Sequence, residues 1–168
     1  MMTLEELTAY AEQFLRETYG MELGIPIEIN GRLRRAQGRY ISSYDDKEPK
    51  RIELAKFLIE YGTDNVIKDT LKHELVHYAF HLQGLPFNDG DKEFEEELRR
   101  LGIRSSESDF VGMRYLIKCT RCGYVGETAV KRVKNNPEFY ESRCCDAPLT
   151  YVGDVIYDGE SRKELMNV

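Results

Sequence analysis

The sequence is short of several residue types, and each shortage excludes a class of protein. It has no Trp and only three His among 168 residues, and its formal net charge is −6. This negative charge argues against a general nucleic-acid coat protein, which needs an excess of Lys and Arg. No apolar run approaches the roughly 20 residues that span a bilayer, so we expect no membrane segment and no membrane partner.

The N-terminus also lacks the features of a secretory signal peptide. Met1–Glu6 ends in two acidic residues, where a signal peptide carries basic ones, and no apolar run follows it. We therefore expect a cytoplasmic protein. In that compartment the four Cys are metal ligands or free thiols more often than disulfides.

The sequence does contain enough apolar residues for a folded core. Hydrophobic residues make up 41% and aromatic residues 11% of the chain, which excludes general disorder. The length suits one compact domain with at most a small appendage. Basic residues outnumber acidic ones between 113 and 152, whereas the chain on either side is acidic. This difference in charge suggests two parts with different partners.

Helical and strand patterns predict an α+β fold. Thr3 and Glu6 form a capping-box pattern ahead of a helix that reaches about Thr18, and Gly20 ends it. A polar linker at 102–108 divides the chain into domains at 1–108 and 109–156, followed by a C-terminal tail at 157–168. The other predicted elements are strands at 25–29, 39–44 and 51–54 and helices at 64–83 and 89–101.

The helix at 64–83 contains the sequence His-Glu-x-x-His. Residues His73 and His77 are four positions apart, so a helix places both imidazoles on one face, where they can bind one zinc ion. Glu74 lies beside the open side of that metal. Because zinc lowers the pKa of its bound water towards about 7, Glu74 can act as general base and then as general acid in hydrolysis.

A catalytic zinc needs a third protein ligand, and the sequence offers several candidates for it. His81 lies a further turn along the helix, about 6 Å beyond His77, which suits a residue that supports the ligands rather than a ligand. Asp89 follows a turn that can fold it back over the site, and its alternative role is the N-cap of the next helix. The full set of downstream carboxylate candidates is Asp89, Asp91, Glu93, Glu96 and Glu97.

The C-terminal part contains two pairs of Cys. Cys119 and Cys122 form a regular CxxC motif, and Cys144 and Cys145 follow after 21 intervening residues. This pattern predicts a four-Cys zinc ribbon with a structural zinc. The second pair is irregular, because a CxxC spacing would place a Cys at Ser142 and adjacent side chains diverge in an extended chain. Free thiols and a redox CxxC motif are the alternatives.

Each of two basic segments has two interpretations. Lys131–Asn136 has Tyr124 and Phe139 nearby, which suits single-stranded nucleic acid but equally a solvated hairpin. A second cluster lies near the first strand and either faces a substrate or pairs with acidic residues of the helices. Its members are Arg32, Arg34, Arg35 and Arg39.

The order of these motifs resembles that of the SprT-like family of bacterial proteins, which is related to the Spartan DNA–protein crosslink proteases. The resemblance implies a minimal zincin fold with a zinc ribbon, with His73 and His77 as ligands and Glu74 as the catalytic carboxylate. The family usually has His where this chain has Asp89, and a CxxC second knuckle. The matching segments are Asn30–Arg34, Gly38–Tyr40, Lys72–Tyr78, Asp91–Phe94 and the Cys ribbon with Leu149.

Residues and resemblance together predict a zinc-dependent metallopeptidase. Its substrate would be a protein, bound to DNA if the resemblance holds, and the mildly basic ribbon would contact that DNA. The alternative is a non-catalytic adaptor for nucleic acid or protein that uses zinc only for structure. A third possibility is a metal-dependent hydrolase of a non-peptide bond.

Overall fold

The computed structural model describes residues 2–45, 47–104 and 110–166. It has an α+β fold with two small sheets, which confirms the predicted class. Within those ranges, none of the helices has the length and apolar character needed to cross a bilayer. The predicted boundary at 108 lies outside the described residues, and the division into domains stays a prediction.

The N-terminal helix α1 (Leu4–Tyr19) begins and ends as its sequence predicts. The Thr3 side chain accepts the Glu6 backbone N–H, and the Glu6 carboxylate accepts the Thr3 N–H. Gly20 ends the helix with φ of 64°, a left-handed conformation that costs little without a Cβ. The apolar face of α1 packs into the main core through Leu7, Ala11 and Leu15.

The first sheet contains strands β1 (Ile27–Asn30), β2 (Gly38–Ser42) and β3 (Pro49–Ala55), in the order β1-β3-β2. Strand β1 pairs with β3 in parallel, and β2 pairs with β3 antiparallel. A short helix that the sequence analysis missed, α2 (Lys56–Tyr61), follows β3 directly. Helix α3 (Asp64–Leu82) then packs against β2 and β3.

Helix α4 (Lys92–Arg100) begins three residues later than predicted. Gly90 has φ of 86°, which no helix accommodates, and the N-cap is Asp91. Asp89 therefore lies in the loop before the helix, and its predicted alternative role as N-cap is wrong. The buried side chains Phe94 and Leu98 anchor α4 against the second hydrophobic cluster, which includes Val76 and Phe80 of α3.

The second sheet contains strands β4 (Val111–Cys119), β5 (Val125–Thr128), β6 (Leu149–Asp158) and β7 (Arg162–Met166), in the order β5-β4-β6-β7. Strand β7 lies in the predicted tail and pairs antiparallel with β6. Its five residues are all exposed, so they show none of the alternation of a half-buried strand. A short helix α5 (Lys131–Asn135) and a 3-10 turn at Pro137–Phe139 connect β5 to the second Cys pair.

The two sheets meet at the start of helix α3. Val111 of β4 belongs to the same core cluster as Val66 of α3. Gly159, in the turn after β6, lies so close that a Cβ there would approach both Val66 methyl groups to 2.9 Å. The Thr63 N–H donates to the Asp158 carbonyl at 3.2 Å. The C-terminal sheet is thereby positioned beside the helix that bears the two His.

Candidate functional site

The candidate site lies on the buried part of α3. Thr63 caps the helix by accepting the Val66 N–H, and Leu71 and Leu75 are fully buried in the main core. Because the face with these two leucines packs into the core, it determines how the helix is oriented about its own axis. His73 and His77 consequently lie on its other side, buried but lining a cleft.

The side chains of His73, His77 and Asp89 converge on one point. The His73 Nε2 atom lies 3.1 Å from His77 Nε2 and 3.0 Å from an oxygen of the Asp89 carboxylate. The same oxygen lies 3.5 Å from His77 Nε2. Bonds of about 2.0–2.1 Å at tetrahedral angles would separate donor atoms by roughly 3.3 Å. The three donor atoms therefore have the spacing of three corners of a zinc tetrahedron, and the group could hold a metal ion.

The hydrogen bond of the Nδ1 atom determines which ring nitrogen of His77 carries the proton. Its Nδ1 donates a hydrogen bond to the carbonyl of Phe87, in the loop that also carries Asp89. A neutral imidazole with a proton on Nδ1 has a lone pair on Nε2, the atom that faces His73 and Asp89. Burial is the largest cause that lowers the pKa of His77, and it too favours the neutral form. His77 is thus prepared to donate an electron pair to a metal.

Glu74 points into the same cleft from the neighbouring helical position. Its carboxylate is buried and accepts the backbone N–H of Tyr40 in β2. Burial raises the pKa of Glu74 to about 8, and the nearby Asp89 carboxylate contributes in the same direction. A carboxyl group with a pKa near neutral can both accept and donate a proton under cellular conditions.

Gly38 has a role at the site that the sequence analysis did not assign. It begins β2 directly above Glu74, and a Cβ there would lie 2.8 Å from Glu74 Oε1 and 2.8 Å from the Thr70 methyl group. Only glycine permits this close approach of strand to helix. Its place in a motif shared with the SprT-like family was the available signal.

We expect Gly38→Ala to lower kcat by roughly tenfold to a hundredfold while the metal content stays unchanged. The added methyl group would displace the Glu74 carboxylate, for which the sequence predicts a catalytic role, and a shift of about 1 Å at such a group can cost that much. Steady-state hydrolysis and elemental analysis measure the two quantities. Gly31→Ala is the matched control, because its Cβ would meet only Lys56 Cδ at 3.8 Å. Equal activity of the two variants would show that Gly38 does not position Glu74.

His81 lies outside the convergent group, in agreement with its predicted supporting role. The Tyr40 hydroxyl and His81 Nδ1 share a hydrogen bond of 2.6 Å. The Tyr40 ring is parallel to His77, with an interplanar angle of 9° and a centroid separation of 6.4 Å. Burial raises the pKa of Tyr40 to about 12, so its hydroxyl keeps its proton at neutral pH. This pair encloses the site on the side of His77.

The second candidate metal group joins all four Cys. Their sulfur atoms lie within 4.8 Å of one another, and Cys122 Sγ is 3.4 Å from Cys144 Sγ. The adjacent Cys144 and Cys145 converge because a tight turn follows Ser142, whose carbonyl accepts the Asp146 N–H. Asp146, the residue after this pair, has φ of 48°, a left-handed conformation, so the chain is not extended here.

Ser142 occupies the position where a regular second CxxC would have its first Cys. Its buried hydroxyl donates to Cys119 Sγ at 3.2 Å and accepts the Ala147 N–H. Hydrogen bonds lower the pKa of Cys119 to about 6, and the one from the backbone N–H of Cys122 contributes most. A thiolate is the form of Cys that ligates metals. The side-chain hydrogen bond with Cys122 instead raises the pKa of Cys145 to about 12. Cys119 is therefore the thiol best prepared to ligate a metal, and the convergence of the four sulfur atoms is what indicates a metal site.

We expect two zinc ions per wild-type chain and one per chain in Cys122→Ser. Three thiolates and a hydroxyl hold zinc far more weakly than four thiolates, because the hydroxyl keeps its proton. Elemental analysis after dialysis measures the stoichiometry. Thr120→Ser, a conservative change in the same loop, should retain both ions. Two ions in Cys122→Ser would mean that the cluster is not the second site.

A cleft of about 1360 Å³ contains the His73 group and Glu74. Its lining includes residues 34–40 and residues 110–114, at the start of β4. Of the basic cluster singled out in the sequence, Arg39 pairs with Glu53 of β3 at 2.9 Å, not with a helix. Arg34 and Arg35 line the cleft. The C-terminal sheet thus contributes directly to the candidate site.

Comparisons with known proteins identify the family of this chain. Residues 4–108 match the SprT-like family. The chain is similar to Protein SprT-like of Bacillus velezensis, with 29% identity over 149 residues, which cover 86% of this chain and 95% of the relative. The corresponding protein of Oceanobacillus iheyensis is 30% identical over 152 residues, with coverage of 85% and 87%. That of Bacillus subtilis is 30% identical over 125 residues, with coverage of 70% and 76%.

Proposed function

This chain belongs to the SprT-like family, and from that premise we propose that it is a zinc-dependent peptidase whose N-terminal part is a minimal zincin-like domain. The observation that carries the proposal is the triangle of donor atoms from His73, His77 and Asp89, with sides of 3.0, 3.1 and 3.5 Å. Two imidazoles and one carboxylate are a ligand set of catalytic zinc sites, which leave a position open for water and substrate.

In the proposed reaction, the zinc ion supplies the Lewis acidity that polarises the peptide carbonyl and makes water a nucleophile near neutral pH. Glu74 accepts the proton of the attacking water and passes it to the nitrogen of the departing amine. Its buried position beside His73 places the carboxylate within the cleft and away from bulk solvent. The Tyr40 N–H holds the carboxylate in place while it exchanges the proton.

The experiment that tests this proposal is the hydrolysis of a labelled unfolded protein by the zinc-loaded chain. We expect cleavage that a zinc chelator abolishes and added zinc restores. A chain that binds zinc at the His73 group and cleaves no polypeptide would instead support the adaptor alternative. Activity only on non-peptide esters or amides would support a different metal-dependent hydrolase.

We further propose that the substrates are proteins associated with DNA, and that the zinc-ribbon part contacts the nucleic acid. Two aromatic rings of this part are largely exposed, Phe139 at 79% and Tyr124 at 67%, and bases could stack on them. Lys131 and Arg132 are exposed nearby. Lys134 is not available, because it pairs with Asp154 at 3.0 Å and lies over two Tyr rings.

The DNA-binding proposal has a direct test. Electrophoretic mobility shifts with single-stranded and double-stranded oligonucleotides should show binding that Tyr124→Ala and Phe139→Ala together weaken. Tyr44→Ala is the control, since this ring is 97% exposed but lies in the turn between β2 and β3. Binding that survives the double substitution would place the nucleic acid elsewhere.

A further inference from the structure

The size of the cleft indicates the kind of molecule that fills it. Its volume of about 1360 Å³ exceeds the roughly 300–1,000 Å³ of pockets that bind small molecules. Its lining includes the candidate metal group, residues 34–40 and the start of β4. An extended stretch of polypeptide that passes the candidate metal group would have side chains on both sides of the bond to be cleaved.

The acidic residues that line this cleft are already engaged. Glu60 pairs with Lys56 at 3.4 Å, and Asp69 pairs with Lys72 at 2.6 Å. The Asp89 carboxylate faces His73 and His77, where a bound cation would neutralise its negative charge. No acidic side chain of the described lining other than the buried Glu74 is left to repel an anion.

Two arginines of the same cleft have no partner among the residues that the structure describes. Arg34 and Arg35 are exposed, and within the described part of the chain neither one makes a hydrogen bond, an ion pair or a ring contact. Arg39 and Arg114 are engaged, the first with Glu53 and the second over the Phe110 ring. The described lining of the cleft therefore includes two guanidinium groups without a described partner, in a protein whose net charge is −6.

The position of these arginines relates them to the catalytic carboxylate. Arg35 is three residues before Gly38, the residue that lies against Glu74. Three residues span at most about 11 Å of extended chain, and an arginine side chain reaches several ångströms further. A substrate side chain a few residues from the reacting peptide bond is therefore within their reach.

A guanidinium group binds carboxylates and phosphates alike, in a bidentate manner. Single-stranded nucleic acid also needs aromatic faces for its bases, and the rings nearest the metal group are occupied. Phe87 is stacked on His81 at 4.4 Å, and Tyr40 packs among His77, Phe87 and His81. These observations favour a polypeptide with carboxylate side chains over a nucleic acid in this cleft.

We propose that Arg34 and Arg35 are specificity-determining residues that select acidic side chains near the cleaved bond of the polypeptide substrate. The inference rests on the proposed peptidase function and deepens it. The exposed guanidinium groups form charge-assisted hydrogen bonds with Glu or Asp of the substrate, and the paired lining acids leave that attraction unopposed.

The test compares two peptides that differ only in Glu against Gln at the positions flanking the cleaved bond. We expect kcat/KM of the zinc-loaded wild type to be at least about tenfold higher for the Glu peptide, a difference that one charge-assisted contact can supply. The preference should fall to near onefold in Arg34→Gln/Arg35→Gln. The matched control is Arg16→Gln/Arg99→Gln, which removes the same charge from exposed helical positions outside the cleft and should keep the preference.

Binding supplies a second readout that does not need turnover. Fluorescence anisotropy of the labelled Glu peptide with the zinc-loaded Glu74→Gln variant should show at least about tenfold weaker binding after Arg34 and Arg35 are replaced. If the wild type cleaves both peptides equally, the selectivity inference is overturned while the peptidase remains. If it cleaves neither peptide but binds the Glu peptide through the arginines, the peptidase proposal fails instead. If a single-stranded oligonucleotide of equal charge binds more tightly than the Glu peptide, and through the arginines, the ligand of this cleft is a nucleic acid rather than a polypeptide.

Discussion

The Glu74→Gln variant is expected to retain zinc and to lose peptide hydrolysis by about 10²- to 10⁴-fold, the usual contribution of a general acid–base group. Glutamine has the same shape, and its amide oxygen can still accept the Tyr40 N–H. It cannot take a proton from water at neutral pH. Steady-state cleavage of a labelled peptide and elemental analysis of zinc measure the two halves of the prediction.

Loss of folding cannot explain such a result. Burial raises the pKa of Glu74 to about 8, so ionisation of this carboxyl group is already unfavourable in the fold. Replacing it with a neutral amide removes that penalty, and the thermal midpoint should not fall. Glu60→Gln is the matched control, because Glu60 lines the same cleft but lies away from the metal ligands. Hydrolysis by Glu74→Gln at the wild-type rate would refute the proposed mechanism.

The second large effect is expected from Asp89→Ala, which should weaken zinc binding at the His73 group by more than about 100-fold. Loss of a residue that only supports a metal ligand weakens metal affinity about 10- to 100-fold. Loss of Asp89, the proposed third ligand, should weaken it more. The Asp89 side chain is 62% exposed, so its loss leaves no buried cavity and little change in stability. Competition with a chromophoric chelator measures the affinity, and the zinc in the Cys cluster serves as an internal standard.

Two further substitutions sharpen this prediction. Asp91→Ala removes a nearby carboxylate, which stands at the N-cap position of α4 and accepts the Asn88 N–H, and it should leave zinc affinity unchanged. Asp89→His supplies the imidazole that the family resemblance implies at this position. It should restore the zinc binding that Asp89→Ala loses. Wild-type affinity in Asp89→Ala would mean that the third ligand is another residue.

The helices with strong local signals could be read from the sequence. Thr3, Glu6 and Gly20 determine the ends of α1 through hydrogen bonds within a single turn, so no distant contact is needed. The short helix α2 and the exposed strand β7 escaped prediction, because neither has the apolar periodicity that pattern analysis detects. The start of α4 was placed too early, because its true beginning depends on the left-handed Gly90.

The sequence by itself determined that two imidazoles share one face of a helix with a carboxylate beside them, because helical geometry fixes the relation of residues four apart. Only the tertiary structure decided the rest of the site. The loop between α3 and α4 folds Asp89 back onto His73, β2 brings Gly38 against Glu74, and the second sheet closes the cleft. These contacts join residues far apart in the chain, and their geometry follows from the packing of whole helices and sheets.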